Sequence, residues 1–181
     1  MLWEGLVTEG LAVTRAVHDR YHAARRNPWN EVECGDHYAR SMASYGVFLA
    51  ACGFEYHGPN GHLGFAPRMF ATPQAALNAP GTERATRFKS AFTTAEGWGA
   101  YSEESSATDT NFKIELKWGK VRLETLALVV PNGFRKNSVR VRANGRAIRS
   151  SVTREGKRLN IALSQLLELK AGGVLEVSVR V

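Results

Sequence analysis

Long apolar runs are missing from this sequence. No stretch approaches the roughly 18 consecutive apolar residues of a membrane-spanning helix, and the run Val47 to Cys52 reads as a short buried helix end. No secretory leader is expected: Met1 is followed by Leu2, Trp3 and Glu4, without a basic region or a small-residue cleavage site. Cysteine is scarce. Cys34 and Cys52 cannot build a disulfide framework and fit a reducing compartment, so a cytoplasmic location is expected. There is no internal repeat and no low-complexity tract.

What is present suits a chain with a core. Of 181 residues, 44% are hydrophobic, as in ordinary globular domains. The net charge of +7 is unevenly spread. Up to residue 130, 13 Lys/Arg face 14 Asp/Glu; from 131 onward 11 face 3, which together make the 24 and 17 of the whole chain. Arg140, Arg142, Arg146 and Arg149 could follow phosphates. They alternate with apolar residues and have few aromatics among them, so a solvated sheet face is the preferred reading and no nucleic-acid partner is expected.

Residues 2 to 24 carry Trp3, Leu6, Val7, Gly10, Leu11, Val17 and Tyr21 at mostly helical spacing. Gly10 and Thr14 would admit a second helix closely. The Asn27-Pro28 step ends this helix, because a residue before proline is pushed out of the α region. The chain starts inside the helix with no cap ahead of it, which is how a fragment begins. Asp36 can cap a second helix over about 37 to 52, with Gly53 as its stop. Two such helices cannot bury all their apolar surface on each other, so further partners are expected. Phe54 to Phe65 reads as a hairpin around Asn60-Gly61.

After Phe88 the period becomes two: Phe112, Ile114, Leu116 and Trp118 alternate with Lys113, Glu115 and Lys117. Leu126 to Val130, Val139 to Arg142, Leu159 to Leu163 and Leu175 to Val181 continue it, with Asn144-Gly145 as a second turn. Short strands with frequent turns predict an antiparallel β-sandwich. The expected organisation is thus α+β: a helical part over 1–68, a linker over 69–87 and the sandwich over 88–181.

The stretch from Arg25 to Tyr56 is richest in chemistry. Glu31, Glu33, Asp36 and Cys34 stand beside Trp29, His37 and Arg40. Glu31 and Glu33 in an extended loop would point to one side about 6–7 Å apart, which admits a glycosidase acid pair. A metal site from Glu33, Cys34, Asp36 and His37 lacks a second ligand cluster. A nucleophilic Cys34 is opposed by its acidic neighbours. The structural alternative makes Asp36 a cap paired with Arg40. A carboxylate and a guanidinium fanned over neighbouring hydroxyls, with Trp29 as platform, would also grip a sugar.

The run RRNPWNEVECGDHYARSMASYG, followed by GFEY and GFAPR, resembles the C-terminal end of the catalytic domain of glycoside hydrolase family 116, which includes bile-acid β-glucosidase, the non-lysosomal glucosylceramidase and bacterial β-glucosidases. The resemblance runs from about Leu6 to Arg68 and is weaker over Phe88 to Ser102. It implies an (α/α)6 barrel that residues 2–52 help to close, and retaining hydrolysis of β-glucosides. It implies that Glu31 and Arg40 contact glucose hydroxyls, with Glu33, Asp36 and His37 in the same motif. The nucleophile and the acid/base of that family lie in stretches absent from this chain. The expectation is therefore a C-terminal piece of a β-glucosidase or glucosylceramidase, with substrate-binding residues Glu31, Arg40, Trp29, Glu33 and His37. No catalytic residue, metal or cofactor is expected. Its partners would be a β-glucoside and the missing N-terminal part of the catalytic domain, and the isolated chain should be inactive. The competing expectation is a β-sandwich carbohydrate- or partner-binding module with a helical extension.

Overall fold

The structure, a computed structural model, describes residues 1–20, 41–68, 86–106, 108–130 and 138–180. The chain divides into two compact units, Met1–Gly53 with Arg68–Leu77 and Phe54–Pro67 with Asn78–Val181.

In the first unit a 3-10 turn, Leu2–Glu4, stops at Gly5, whose φ of 83° is open to glycine at little cost. Helix α1 follows over Val7–His18 and α2 over Ser41–Cys52. Gly53, at φ 55°, closes α2 as its sequence suggests, and its N–H donates to the Ala50 carbonyl at 3.2 Å. Gly10 does provide a close approach, but to the Leu2 side chain of the preceding turn, which a Cβ there would strike. Thr14 turns its hydroxyl back to the Gly10 carbonyl at 2.7 Å. The Arg68 guanidinium lies 5.0 Å over the Trp3 ring.

Among the described residues the second unit holds ten strands: β1 Glu55–His57, β2 His62–Phe65, β3 Thr86–Thr93, β4 Gly97–Ser105, β5 Asp109–Val129, β6 Arg140–Ala143, β7 Arg146–Ala147, β8 Ser150–Glu155, β9 Arg158–Lys170 and β10 Val174–Arg180. Strand β5 organises them. Its first half pairs antiparallel with β4 and β10; its second half pairs antiparallel with β9 and parallel with β2. Strand β3 extends β4, β6 and β7 extend β10, β8 extends β9, and β1 extends β2.

The inner faces share one core. Tyr101 of β4 and Phe65 of β2 stack at 4.0 Å with rings 2° from parallel, among Phe92, Phe112, Ile114, Leu116, Leu126 and Leu159. Each fully buried side chain of this size contributes about 1.5–3 kcal/mol.

The fold class needs correction. An α+β fold was expected, with a helix pair closing an (α/α)6 barrel and a separate antiparallel β-sandwich. The described residues are mostly strand, with two α-helices and one mixed ten-stranded sheet. The helical periodicity outruns the helix: Gly5 delays α1 to Val7, and Trp3, Leu6 and Val17 of the expected stripe are exposed. The sheet is one network because β5 stays extended for 21 residues and ties both halves together. The Phe54–Phe65 hairpin forms, but β2 then joins β5 in parallel, with His62 opposite Thr125. No described helix is long and apolar enough to cross a membrane.

Candidate functional site

The residues on which the sugar cradle was predicted, Trp29, Glu31, Glu33, His37 and Arg40, lie outside the described residues, as do Cys34 and Asp36. Chemistry visible elsewhere sits on the outer face of the sheet half formed by β3, β4, β5, β10 and β6.

Alternation dictates that face. Along β5, Phe112, Ile114 and Leu116 turn inward while Asn111, Lys113 and Glu115 turn out. Antiparallel register then lines polar groups up in rows. Ser102, Lys113, Glu176 and Arg142 form one row across four strands; Glu104, Asn111, Ser178 and Arg140 form the next. Asp109 and Arg180 pair in a third, Nε to Oδ1 at 3.5 Å, and the Ser138 hydroxyl donates to the Arg180 carbonyl at 2.8 Å. These rows line a hollow of ≈ 690 Å³ floored by Phe112 and Val177. A second hollow of ≈ 330 Å³ adjoins it, sharing Ser102, Glu104 and Lys113 and reaching Arg87 and Lys89.

Most acids here have a cation at hand. Arg87 meets Glu104 at 3.3 Å, and Lys117 meets Glu115 at 2.6 Å. The Lys117 hydrogen bond holds the Glu115 carboxyl below its ordinary range. No carboxylate of the face is directly opposite another in register. Arg140 and Arg142 have no ion-pair partner among the described residues.

At one end of the same face stand two tryptophans. Trp98 of β4 is opposite Trp118 of β5, where a register shift lets Lys117 and Trp118 together face one residue of β4. Three glycines make this bulge possible. A Cβ on Gly97 would come within 2.6 Å of the Trp118 carbonyl, one on Gly99 would strike the Glu115 carbonyl, and Gly119 holds φ 73°. Trp118 is 63% exposed and Trp98 49%. Large indoles normally seek burial, and an opposed pair left in solvent is a candidate contact surface.

The inner face carries one notable acid. Glu103 is buried, accepts a hydrogen bond from the Tyr101 hydroxyl at 2.9 Å, and has its pKa pushed up to about 7 by loss of solvent. The same burial, with the neighbouring carboxylate, pushes the Tyr101 phenol up. It is the described carboxyl group raised in this way, yet it faces the core and not a hollow that admits substrate. Among the described residues no group of three or more His, Cys, Asp or Glu side chains is placed to hold a metal ion.

Of the two histidines flanking the Asn-Gly turn, His57 is exposed and His62 is half-buried. The His57 ring accepts from the Asn60 N–H at 3.2 Å. His62 lies against the Thr125 hydroxyl at 2.8 Å and the Glu55 carboxylate at 3.5 Å. Two features of the sequence bear on the outer face: the two-residue period that sends Lys113, Glu115, Arg140 and Arg142 to one side, and Trp98 and Trp118 amid glycines.

No family model matches the sequence, and no curated protein matches it. Among solved structures the chain is similar to α-L-rhamnosidase from Dictyoglumus thermophilum, a glycoside hydrolase, at 11% identity and a TM-score of 0.40. That similarity covers 81% of this chain and 14% of the rhamnosidase, so the chain spans about a seventh of that protein's length.

Proposed function

We propose that this chain is a carbohydrate-holding, non-catalytic portion of a glycoside hydrolase, and that it grips its sugar on the outer sheet face. The opposed, solvent-exposed pair Trp98 and Trp118 carries this reading. An indole face is apolar and flat, suited to the C–H face of a pyranose. The hydroxyls of further sugars along the same chain would then meet Ser102, Asn111, Lys113 and Glu176, which between them offer donors and acceptors in the hollows farther along the face.

Absence of turnover is part of the proposal. A retaining glycosidase sets two carboxyl groups about 5–5.5 Å apart across the scissile bond. Glu104, Asp109 and Glu176 are met by cations or amides in register, Glu115 is held by Lys117 of its own strand, and Glu103 faces inward. The finer reading is a family 116 β-glucosidase or glucosylceramidase that takes a β-glucoside. It rests on the motif of residues 27–40, with Glu31 and Arg40 on glucose hydroxyls and Trp29, Glu33 and His37 beside them. The exposed Trp3, Leu6, Val13 and Val17 support a further partner, the rest of a catalytic domain seated on α1. A cytoplasmic location belongs to the same proposal, supported by a sequence with two cysteines in all.

Affinity electrophoresis of the whole chain through gels containing soluble β-glucan tests the reading. Retardation is expected, and Trp98→Ala/Trp118→Ala should weaken it at least fivefold while circular dichroism stays unchanged. No retardation, or retardation indifferent to both substitutions, would overturn it.

A further inference from the structure

We infer that the outer-face hollow is built for an acidic sugar chain, and that Arg140 and Arg142 hold a carboxylate of a uronic-acid residue. The inference deepens the carbohydrate reading and rests on it. Arg140 and Arg142 are two apart on β6, so both guanidinium groups leave the same side of the strand, about 7 Å apart along it. Both are exposed and both line the ≈ 690 Å³ hollow.

Their neighbours explain why they are available. Arg180 is engaged by Asp109, and Arg87 by Glu104. Lys113 lies 3.8 Å from Glu115. That leaves the β6 pair as the cations of this hollow without an ion-pair partner among the described residues. Glu176 stands between Lys113 and Arg142 in register and tempers the field without cancelling it. Arginine presents a planar fork of donors that matches a carboxylate through two parallel hydrogen bonds.

Charge complementarity chooses the occupant. Nucleic acid carries a charge about every 1.7 Å along the duplex axis, and a dense polyanion would be pressed against Glu176, Asp109 and Glu104. The hollow instead alternates cations, acids, hydroxyls and an amide. A uronate chain has the same grain: one carboxylate per acidic sugar, separated by hydroxyls that can donate to Glu176 and accept from Ser178, Asn111 and Lys113. The indole pair lies on the same face, roughly 15–20 Å along β5 from the Lys113 row. A chain of several sugars could touch both.

The experiment compares four polymers in affinity electrophoresis at fixed moderate salt, using the whole chain: neutral β-glucan, polygalacturonate, dextran sulfate and a single-stranded RNA. Polygalacturonate should bind at least tenfold more tightly than neutral glucan. Arg140→Gln/Arg142→Gln should erase that gain and leave neutral binding unchanged, and Arg140→Lys/Arg142→Lys should restore only part of it. Equal binding of the acidic and neutral polymers overturns the inference and leaves the carbohydrate reading standing. Dextran sulfate or RNA binding as tightly as polygalacturonate also overturns it, because the arginines then act as unselective charge. Failure of both neutral glucan and polygalacturonate to bind removes the carbohydrate reading itself.

Discussion

Arg158 of β9 clamps Glu55 of β1 through two parallel hydrogen bonds, Nη1 to Oε1 at 2.8 Å and Nη2 to Oε2 at 2.6 Å. The pair spans 103 positions of sequence and fixes the β1–β2 hairpin to the far side of the sheet, with His62 on the same carboxylate. The Arg158 hydrogen bond is the main reason the Glu55 carboxyl is held below its ordinary range, and it raises the guanidinium in return.

Both side chains remain over a third exposed, so solvent screens the pair and its worth stays under about 1 kcal/mol. A double-mutant cycle of Glu55→Gln and Arg158→Gln, read by urea denaturation, should return a coupling of that size. Because the folded pKa is depressed, this coupling is complete above the ordinary Glu value of 4.5 and fades as pH falls through the lower folded value. A coupling that persists unchanged at pH 2 would contradict the assignment.

Glu103 predicts the opposite pH dependence. Its folded pKa of about 7 lies above the ordinary 4.5, so its contribution is intact below pH 4.5 and is lost as pH rises towards 7. The loss is on the order of 3 kcal/mol by pH 7 and beyond. Glu103→Gln keeps the hydrogen-bonding shape and removes the charge, so it should flatten stability between pH 5 and 8. Parallel curves for the wild-type chain and the variant would contradict the account.

Gly119 is the residue on which β5 passes from one half of the sheet to the other. At φ 73°, an added Cβ would strike the Glu96 carbonyl. Gly119→Ala should cost roughly 2 kcal/mol or more, from left-handed strain and the clash together. A shift in denaturation midpoint worth less than about 0.5 kcal/mol would show that the bend tolerates a side chain.

Ser90 is buried on β3, and its hydroxyl has no hydrogen-bond partner among the described residues. An unsatisfied buried hydroxyl costs about 1–3 kcal/mol, so Ser90→Ala should leave stability unchanged or raise it by about 1 kcal/mol. Destabilisation beyond that by thermal unfolding would mean the hydroxyl has a bonding role.

Much of the sheet was legible because alternation is a local signal. Phe112, Ile114 and Leu116 are buried between exposed Lys113 and Lys117, as their order implies, and Asn144-Gly145 turns with φ 49° and 76°. Local alternation could not reveal how β5 continues. The inward residues change from Leu116 to Val121 and Leu123, then to Leu126 and Leu128, because register shifts interrupt the pairing at Trp98/Gly99 and Leu123/Thr125. A reading by period alone joins positions that pleating separates. The parallel pairing of β2 with β5 is a contact 63 residues apart, and nothing near His62 announces it. The helical stripe misled for the converse reason: periodicity says which residues share a face, not whether anything covers it. Trp98 and Trp118 were visible as residues, but their opposition is a property of register.

The measurement closest to the central claim is tryptophan emission of the whole chain during titration with soluble β-glucan oligosaccharides. Stacking of a pyranose on the exposed indoles of Trp98 and Trp118 predicts a saturable change in intensity and wavelength that disappears in Trp98→Phe/Trp118→Phe. An unchanged spectrum, or a change that survives intact in the double variant, would contradict sugar binding on this face.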